Sequence, residues 1–539
     1  MGYEGDDASE GDSPTGVDDP VEGGASSEGR ASLVEYGIED RPPMGTSVVL
    51  GVQHYLTMVG ANIAVPLILA GLMGMPEDVT AKFVGTFFVV SGVATLAQTT
   101  FGNRYPIVQG APFSMLAPGI AIVAAAPAVA GLPDWQSKLL YLQGAIVVAA
   151  LAEVAIGYLG VVGRLRSYIS PVVVAPVVAL IGLSLFSAPQ IVDVNPGVAG
   201  AQQNWWLVGL TLGLIVLFSQ YLGDRSRAFG LFPVILGIAG AWTVAAVLSV
   251  AGVYAPGSIG YVDLRSVASA EPVYAVYPFM WGMPRVQASF VVGMFAGVLA
   301  SIIESFADYH AVARLSGVGA PSERRINHGI GMEGLMNVFA GMMGTGGSTS
   351  YSENIGAIGL TGVASRYVVQ IGATVMLVVG FVGYFGTLIA TIPDPIVGGL
   401  YIAMFGQIVA VGLSNLKYVD LDSSRNLFTI GLAVFAGMAV PSYMSAVGDA
   451  TAFQQGLATV PVVGSVLATN AVGGTLYILG TTNMAVGGIV ALFLDNTIEG
   501  TPEERGLADW ARIAEGDEDF QSAYDRFLRG EGTSAESAD

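Results

Sequence analysis

The chain of 539 residues has no cysteine, only three histidines and few charges, since Asp, Glu, Lys and Arg make up 12% of it. The absence of cysteine excludes disulfides, thiolate metal sites and cysteine nucleophiles. Three scattered histidines do not make a transition-metal cluster, so we expect no bound metal and no organic cofactor. No basic patch with interleaved aromatic residues is present, which argues against nucleic acid as a partner.

Most of the net charge lies at the two ends of the chain. Residues 1–46 hold 12 acids and 2 bases, residues 495–539 hold 13 and 4, and residues 47–494 hold 17 and 15. The net charge of -21 therefore belongs mainly to two acidic tails. We predict that the first tail is disordered, because it has too little apolar content to fold, and that the second is either a surface helix or partly disordered. No basic and apolar leader resembling a signal peptide opens the sequence.

Hydrophobic residues make up 53% of the chain and are gathered in runs long enough to cross a hydrocarbon layer about 30 Å thick. Residues 47–494 are therefore predicted to form a membrane domain. Two of its apolar stretches, 105–126 and 347–362, begin with extended-favouring or Gly/Ser-rich residues, which predicts broken helices that line a cavity. Twelve uninterrupted spans are predicted at approximately 48–70, 82–100, 138–161, 168–187, 205–222, 229–251, 287–309, 328–344, 366–391, 394–413, 425–443 and 466–494.

The two broken stretches are the third and the tenth of fourteen segments, so they take the same place in each half of a seven-plus-seven division. Paired interruptions of this kind indicate a transporter built from two inverted repeats, with its site at mid-membrane. Eleven Lys and Arg residues fall in loops on the side of the termini, against four on the opposite side. This asymmetry predicts a multi-pass protein of the cell (plasma) membrane with both termini in the cytoplasm.

Two carboxylates, Glu304 and Asp308, stand four residues apart in one apolar segment and so share one face of a helix. Two such acids repel each other when both are ionised, so the pair suits proton transfer or the binding of a cation. The competing interpretation ends the helix near residue 303 and leaves both acids solvated at its mouth, Asp308 more than Glu304. Glu153, in the fourth span, is expected to pair with a polar group of a neighbouring helix.

Other polar and aromatic residues mark the two breaks and the first span. Glu353 and Asn354 open the second half of the tenth segment, where a ligand site competes with a plain N-terminal cap. His54 is either a proton shuttle or a hydrogen-bonded packing residue. Phe113, at the break of the third segment, either presents its ring to a flat ligand or belongs to the core. The glycine-rich run 344–349 lacks the Gly-Lys-Ser/Thr of a nucleotide loop, so no such site is expected.

Several stretches, arriving in order, resemble the nucleobase-ascorbate transporter family, which includes uracil and xanthine permeases. The most specific is the signature Glu353-Asn354-x-Gly356-x-x-x-x-Thr361-Gly362, in which Gly362 replaces a more usual Arg or Lys. The resemblance extends over about residues 47 to 507. The other matching stretches are Gln53-His54 with VGANIAVPLILAG, PIVQGAPFSMLAP, IIESFADYHAVARLSG, SNLKYVDLDSSRNLFTIGLAVFAG and LDNTIEGTPEERGL.

The resemblance implies an all-α polytopic membrane protein with 14 transmembrane segments in two inverted seven-segment repeats, segments 3 and 10 being broken with short strands. Segments 1–4 and 8–11 would form a core domain, and segments 5–7 and 12–14 a gate domain through which the chain would form a homodimer. By motif position, the substrate-binding residues would be Glu304, Glu353, Phe113 and Asn354. Asp308 and His54 would serve coupling to a proton or cation, or the architecture of the site.

These residues predict a secondary active transporter that imports a nucleobase of the uracil or xanthine class, coupled to a proton or sodium gradient, and not an enzyme. Glu353 at the first signature position favours a base, whereas Asp308 and the SNLKYVDLDSSRNLF stretch are closer to xanthine- and ascorbate-type members. An ascorbate-like or other small-anion carrier is therefore the alternative within the family, and a passive channel is the alternative from another class. A membrane-embedded enzyme would need a nucleophile or a metal beside the acids, which the sequence does not offer.

Overall fold

A computed structural model describes residues 34–162, 168–186, 188–192, 205–507 and 520–522, and it is mainly helical. The rest of the two acidic tails, 1–33, 508–519 and 523–539, lies outside the described residues. The first ten helices are α1 Met44–Met73, α2 Glu77–Thr100, α3 Leu116–Ala125, α4 Asp134–Tyr158, α5 Pro171–Ser184, α6 Pro189–Val192, α7 Trp205–Val216, α8 Arg227–Leu231, α9 Pro233–Val250 and α10 Leu264–Ala268.

Eleven further helices and two short strands complete the described part of the chain. The strands are β1 Gln109–Gly110, before α3, and β2 Thr349–Ser350, before α13. The remaining helices are α11 Ala288–Leu315, α12 Glu323–Met343, α13 Ser352–Thr361, α14 Arg366–Phe381, α15 Gly383–Ala390, α16 Asp394–Ser414, α17 Ser424–Val447, α18 Ala450–Ala458, α19 Gly464–Leu467, α20 Thr475–Gly480 and α21 Asn483–Thr497. Single π-helical turns follow α7, at Leu217–Tyr221, and precede α20, at Asn470–Gly474.

Proline and glycine set many of the helix ends. Pro43, Pro76 and Pro133 occupy the position just before α1, α2 and α4, where a missing N–H is tolerated and the extended backbone stops the helix from continuing backwards. Gly74 and Gly344 close α1 and α12 in the left-handed conformation, which glycine adopts at little steric cost. The helical segments therefore begin and end close to where the hydropathy pattern places them.

Seven of the described helices are both long and apolar enough to cross a membrane, and one bent pair would make an eighth. The pair is Asn470–Gly480 with Asn483–Thr497, bent by 94°, so the uninterrupted span expected at 466–494 is wrong. The span expected at 366–391 is also divided, at Val382, because loop residues hydrogen-bond there: Tyr274 donates to the Phe381 carbonyl and Gly383 donates to the Pro272 carbonyl. The total of fourteen segments stays a prediction.

The helices pack most closely within two groups. The first contains α1, α2, α4, α11, α12 and α14, and the second contains α5, α7, α9, α16, α17 and α21. In the first group α4 and α12 approach through small residues, since Gly157 lies against Gly331 and Gly334 lies against the backbone of Val154. Close backbone approach at small residues is how membrane helices gain contact without a hydrophobic driving force.

The strands β1 and β2 pair antiparallel, with Gln109 opposite Ser350 and Gly110 opposite Thr349. All four residues are buried. A Cβ at Gly110 would collide with the ring of Tyr351, whose hydroxyl donates to the Ala111 carbonyl at 2.9 Å. Glycine at 110 is therefore required for the strands to meet, and the helices α3 and α13 start on either side of this crossing.

Two ionic clusters lie at the ends of helices. Asp495, buried in α21, accepts hydrogen bonds from Arg505 at 2.7 Å, Arg425 at 3.0 Å and the Ser170 hydroxyl at 2.7 Å. In the other cluster Glu39 pairs with Arg104 at 2.8 Å and with Arg366 at 2.7 Å. Glu39 belongs to residues 34–41, which we call the strap; the sequence analysis assigns it to the disordered tail, and the structure packs it against residues 362–367.

Candidate functional site

The crossing of β1 and β2 fixes a group of buried polar side chains. Asn62 of α1 accepts a hydrogen bond from the Ala111 amide at 3.0 Å and exchanges hydrogen bonds with Ser91 of α2. The Thr95 hydroxyl of α2 accepts a hydrogen bond from the Gln109 amide at 2.9 Å. The interrupted backbone around β1 is thus satisfied by side chains of α1 and α2, as backbone groups buried away from water must be.

Asp308 is buried, 4% exposed, and is bound at both carboxylate oxygens. Its Oδ2 accepts from the Ser350 hydroxyl at 2.8 Å and its Oδ1 from the Ser352 hydroxyl at 2.6 Å. The interpretation that α11 ends near residue 303 with solvated acids does not hold, because α11 continues to Leu315. Asp308 therefore joins α11 to the strand β2 and to the first turn of α13.

Glu333 of α12 is a buried acid that the sequence analysis did not select. Its Oε1 lies within hydrogen-bonding distance of the hydroxyls of Ser301 (2.7 Å) and Thr349 (3.0 Å). Its Oε2 lies 2.6 Å from the Ser305 hydroxyl and 3.4 Å from that of Tyr309. The sequence does contain a signal for this residue. Glu333 falls in the predicted span 328–344, and an acid within a membrane span is a functional candidate by default.

Glu333 and Asp308 are linked through hydroxyl groups. The Ser305 hydroxyl that contacts Glu333 also lies 2.8 Å from the Ser350 hydroxyl, which donates to Asp308. Each of the four groups is buried. Hydroxyls both donate and accept, so this chain of contacts provides a path along which a proton could pass between the two carboxyl groups.

Glu304, one turn before Asp308, lines a cavity of about 490 Å³ between the two helix groups. Thr57 of α1, Ser352 and Gly356 of α13 and Gln407 of α16 share this wall with it. The remaining lining is mostly apolar and includes Val178, Val234 and Met404. A half-buried carboxylate with a few hydroxyl and amide groups among apolar walls is the usual composition of a small-molecule site.

A second cavity of about 170 Å³ lies next to the first and shares Ser352, Val411 and Ser414 with it. Asp308 lines this second cavity, together with Arg314 and Lys417. Glu304 and Asp308, although four residues apart on one helix, therefore face neighbouring cavities. Ser352 stands at the boundary, since it lines both cavities and donates to Asp308.

Asn354 and His54 form a buried pair across the first helix group. The Asn354 side chain accepts from the Val108 amide at 3.1 Å through Oδ1 and contacts His54 Nδ1 at 2.9 Å through Nδ2. An amide nitrogen only donates, so His54 accepts at Nδ1 and its proton sits on Nε2. Asn354 is therefore not a cap of its own helix: α13 begins at Ser352 and the cap position is Tyr351, which makes no side-chain cap bond.

Phe113 is buried and contacts Phe405 of α16 edge to face, with ring centroids 6.0 Å apart. Phe405 follows Met404, which lines the larger cavity, and stacks on Tyr401 at 5.3 Å. The ring of Phe113 thus supports the cavity wall where the two helix groups meet. The described contacts of Phe113 are those of a packing residue. The ligand role that the resemblance implies stays a prediction.

The signature residues are spread along α13. Gly356 lines the larger cavity, Thr361 accepts from the Val363 amide at 3.2 Å, and Gly362 ends the helix at a left-handed φ of 71°. Glu353 lies in the first turn, but its side chain falls outside the described part of the structure. The Gly362 carbonyl accepts from the amides of Glu35 and Tyr36, so the strap occupies this helix end.

Glu153 is buried and accepts from the Asn337 side chain of α12 at 2.9 Å, as predicted for a neighbouring helix. Asn337 in turn accepts from the Ser348 amide at 2.6 Å, just before β2. This arrangement connects α4 to the strand through Asn337. It supports a structural function for Glu153 in holding β2, which carries the hydroxyls bound to Glu333 and Asp308.

Two short strands pair between the starts of α3 and α13, and buried acids and a cavity lie beside them. This geometry indicates the class of the protein. The fold is similar to that of SLC26A9, with a TM-score of 0.55 and 13% identity over 74% of this chain and 63% of that one. It is also similar to murine Slc26a9, an anion transporter in the inward-facing state, with a TM-score of 0.54 and 13% identity over 79% and 73% of the two chains. The protein is a multi-pass membrane protein with the fold of a transporter.

Sequence comparison gives the family. A model described as "Permease family", for xanthine and uracil permeases, matches residues 45–445. Solute carrier family 23 member 2 of Homo sapiens is 42% identical over 522 residues, covering 88% of this chain and 76% of that protein. Nucleobase-ascorbate transporter 2 of Arabidopsis thaliana is 34% identical over 502 residues, covering 89% and 91%. The chain belongs to the nucleobase-ascorbate transporter family, and the predicted resemblance is confirmed.

Proposed function

We propose that the protein is a secondary active importer of a nucleobase of the uracil or xanthine class, driven by a proton or sodium gradient. Glu304 in the wall of the 490 Å³ cavity is the observation that carries this proposal. The volume falls within the range of about 300–1,000 Å³ that is usual for small-molecule sites. A nucleobase is planar and has apolar faces. Its edge carries N–H groups, which form strong hydrogen bonds to a carboxylate.

The start of α13 completes the proposed site. Ser352 and Gly356 line the same cavity as Glu304, and the amides of a helix start favour hydrogen-bond acceptors such as the carbonyl oxygens of a base. Thr57 and Gln407 add neutral donors and acceptors. We place the substrate between Glu304 and the first turn of α13, with Glu353 as a second acid of that turn.

The acids behind the cavity support coupling to a cation. Asp308, Ser350, Ser305 and Glu333 form a continuous chain of contacts within hydrogen-bonding distance, and Ser352 connects its Asp308 end to the cavity wall. A proton or sodium ion bound at Asp308 would act on the same serine that faces the substrate. Buried acids with hydroxyl partners serve either ion.

In this proposal the first helix group, with α3 and α13, is a core that moves against the second group as a gate. The cavity lies where α1, α11 and α13 of the first group face α5, α9 and α16 of the second. A shift of one group against the other would expose the same site to either side of the membrane. Dimerisation through the gate helices belongs to the same proposal.

The Glu304→Gln variant, purified and reconstituted into proteoliposomes, tests the role of this carboxylate directly. A hydrogen bond to a charged group is worth about 1.5–3 kcal/mol, so uptake of labelled uracil or xanthine at low concentration should fall about tenfold or more. Glu77→Gln, an exposed acid at the start of α2, is the matched control and should leave uptake unchanged. Parental uptake by a correctly inserted Glu304→Gln protein would remove Glu304 from the site.

An ascorbate-like or other small-anion carrier is the second candidate. It is favoured by Ser352 and the helix start in the cavity wall, because a helix N-terminus attracts anionic groups. Competition of labelled uracil uptake by xanthine, guanine and ascorbate separates the two candidates. Imposed proton and sodium gradients identify the coupling ion, and uptake that is insensitive to an ionophore that dissipates both gradients would favour a passive channel instead.

A further inference from the structure

The end of the bundle at which α12 and α14 begin carries three arginines that contact residues 34–41 and residues 520–522. Arg104 follows α2, Arg325 lies in the first turn of α12, and Arg366 begins α14; we call these three residues the arginine face. Arg104 has a left-handed φ of 58°, which is uncommon for a residue with a side chain. Its side chain is 6% exposed although it carries a charge.

The strap is seated on the arginine face by backbone and side-chain bonds. Its Tyr36 forms a parallel bridge with Val363, and its backbone continues with Ala364 donating to the Tyr36 carbonyl at 2.8 Å and Arg366 donating to the Ile38 carbonyl at 3.1 Å. Glu39 then accepts from Arg104 through one oxygen and from Arg366 through the other. The strap therefore orients the Arg104 guanidinium.

Residues 520–522 of the C-terminal segment contact the same face. The Phe520 ring lies 4.7 Å from the Arg325 guanidinium carbon, and that guanidinium lies 4.5 Å from the Tyr105 ring on another side. His328 adds a tilted ring contact with Phe520 at 5.8 Å. Phe520 is 6% exposed and Ser522 is 2% exposed, so these two residues are buried.

Arg104 connects the two segments directly. Its Nη2 donates to Glu39 at 2.8 Å, and its Nη1 donates to the Gln521 carbonyl at 3.0 Å. The guanidinium is a rigid fork, so fixing one branch on Glu39 aims the other branch at residue 521. The strap and the C-terminal segment are thus bound by the two branches of one side chain.

We propose that the arginine face is a docking surface for the chain's own C-terminal segment, with Phe520 as the anchor, and that docking depends on the strap through Arg104. The proposal goes beyond the transport function and does not require it. The C-terminal segment follows α21, which belongs to the second helix group, whereas the residues of the arginine face adjoin helices of the first. Docking therefore ties the end of one helix group to the other.

The absence of cysteine makes the test specific, because Ser522→Cys introduces a single thiol into the full-length protein. Its rate of maleimide labelling in detergent reports how much of the time the segment is undocked. We expect slow labelling in the otherwise parental chain. Phe520→Ala should speed labelling about tenfold, since removing a cation–π contact and its burial corresponds to roughly that change in the docking equilibrium. Phe520→Tyr, which keeps the ring, should preserve protection.

The dependence on the strap is tested in the same assay. Glu39→Gln and Arg104→Gln should both speed labelling at Ser522→Cys, and Arg104→Lys should do so partially, because one ammonium cannot reproduce the fork. Arg225→Gln, an exposed arginine elsewhere, is the control and should have no effect. A monodisperse elution profile for each variant separates undocking from unfolding.

Two results would overturn the proposal. Rapid labelling at Ser522→Cys in the otherwise parental chain would mean that the segment is not docked. Protection that persists in Glu39→Gln, while Phe520→Ala is labelled rapidly, would mean that the segment docks independently of the strap. Neither result bears on uptake, so the proposed transport function stands or falls separately.

Discussion

Ser352 separates two acids that the sequence places on one helix face. Glu304 and Asp308 were expected to act as a pair, yet Glu304 lines the larger cavity and Asp308 lines the smaller one, with Ser352 in the wall of both. Sequence spacing fixes which residues share a helix face but does not indicate which cavity each one meets. That depends on α13, whose first turn reaches α11 only because β2 brings it there.

Glu333 is a buried acid that the sequence pattern did not indicate as a site residue. A single acid in the interior of a helix that also contains glycine, methionine and arginine is less conspicuous than two acids four residues apart in an apolar run. Its partners lie in α11 and β2, which are far from each other in the sequence, so no local sequence pattern predicts these contacts. Burial of the carboxyl group is tolerated because four hydroxyls surround it.

Glu333→Ala is expected to destabilise the protein and to reduce uptake. The substitution leaves the hydroxyls of Ser301, Ser305 and Thr349 without their acceptor, at a cost of about 1–3 kcal/mol for each group that finds no new partner. The midpoint of thermal denaturation in detergent measures the change. Glu323→Ala, exposed in the first turn of the same helix, should change stability by less than about 1 kcal/mol. Equal midpoints for the two variants would contradict the importance of this network.

At the level of elements, hydropathy and proline placement located most helices within a few residues. The span predicted at 82–100 begins at Glu77 and ends at Thr100, and the span predicted at 394–413 is Asp394–Ser414. Two breaks were not predictable in this way. The break at Val382 depends on a loop of distant sequence, and the bend between Gly480 and Asn483 interrupts a run that is apolar throughout.

Gly110→Ala tests the strand crossing. The added methyl group would collide with the Tyr351 ring and push apart β1 and β2, so we expect uptake to fall severely even if the protein still inserts. The matched control is Gly431→Ala in α17, where a methyl group meets no atom within 4 Å. Normal uptake by Gly110→Ala would show that the crossing tolerates separation. Initial rates in proteoliposomes, normalised to reconstituted protein, provide the comparison.

At the scale of the whole molecule, ionic contacts connect distant parts of the chain, and amino-acid composition does not reveal them. The charge count assigned acids to the tails, and it did not reveal that Glu39 and Asp495, within or beside those tails, each bind two arginines. Their partners lie as far away as Arg425 and Arg366, so only the folded chain brings them together. The strap is also held through backbone bonds to residues 362–366, which leave no side-chain pattern in the sequence.

Asp495→Ala should destabilise the second helix group strongly. The aspartate is buried, and its removal leaves Arg425 and Arg505 close together without their shared counter-charge. Breaking a buried ion pair in this way costs about 3–5 kcal/mol, which should appear as a lower thermal denaturation midpoint. Asp134→Ala removes the exposed aspartate that pairs with Lys138 and should cost less than about 1 kcal/mol. Similar midpoints for both variants would count against the prediction.

The pairing of β1 with β2 has a consequence for how the chain is made. Tyr351 bonds to Ala111 across 240 residues, so the first half of the crossing must wait in the membrane for the second. At a synthesis rate of about 5–20 residues per second, that wait lasts roughly 10–50 s. During it, the carbonyls of Val108 and Ala111 are without the Tyr351 amide and hydroxyl that donate to them in the folded chain. Biogenesis of the site is therefore expected to be late, and sensitive to chaperones that shelter half-inserted membrane segments.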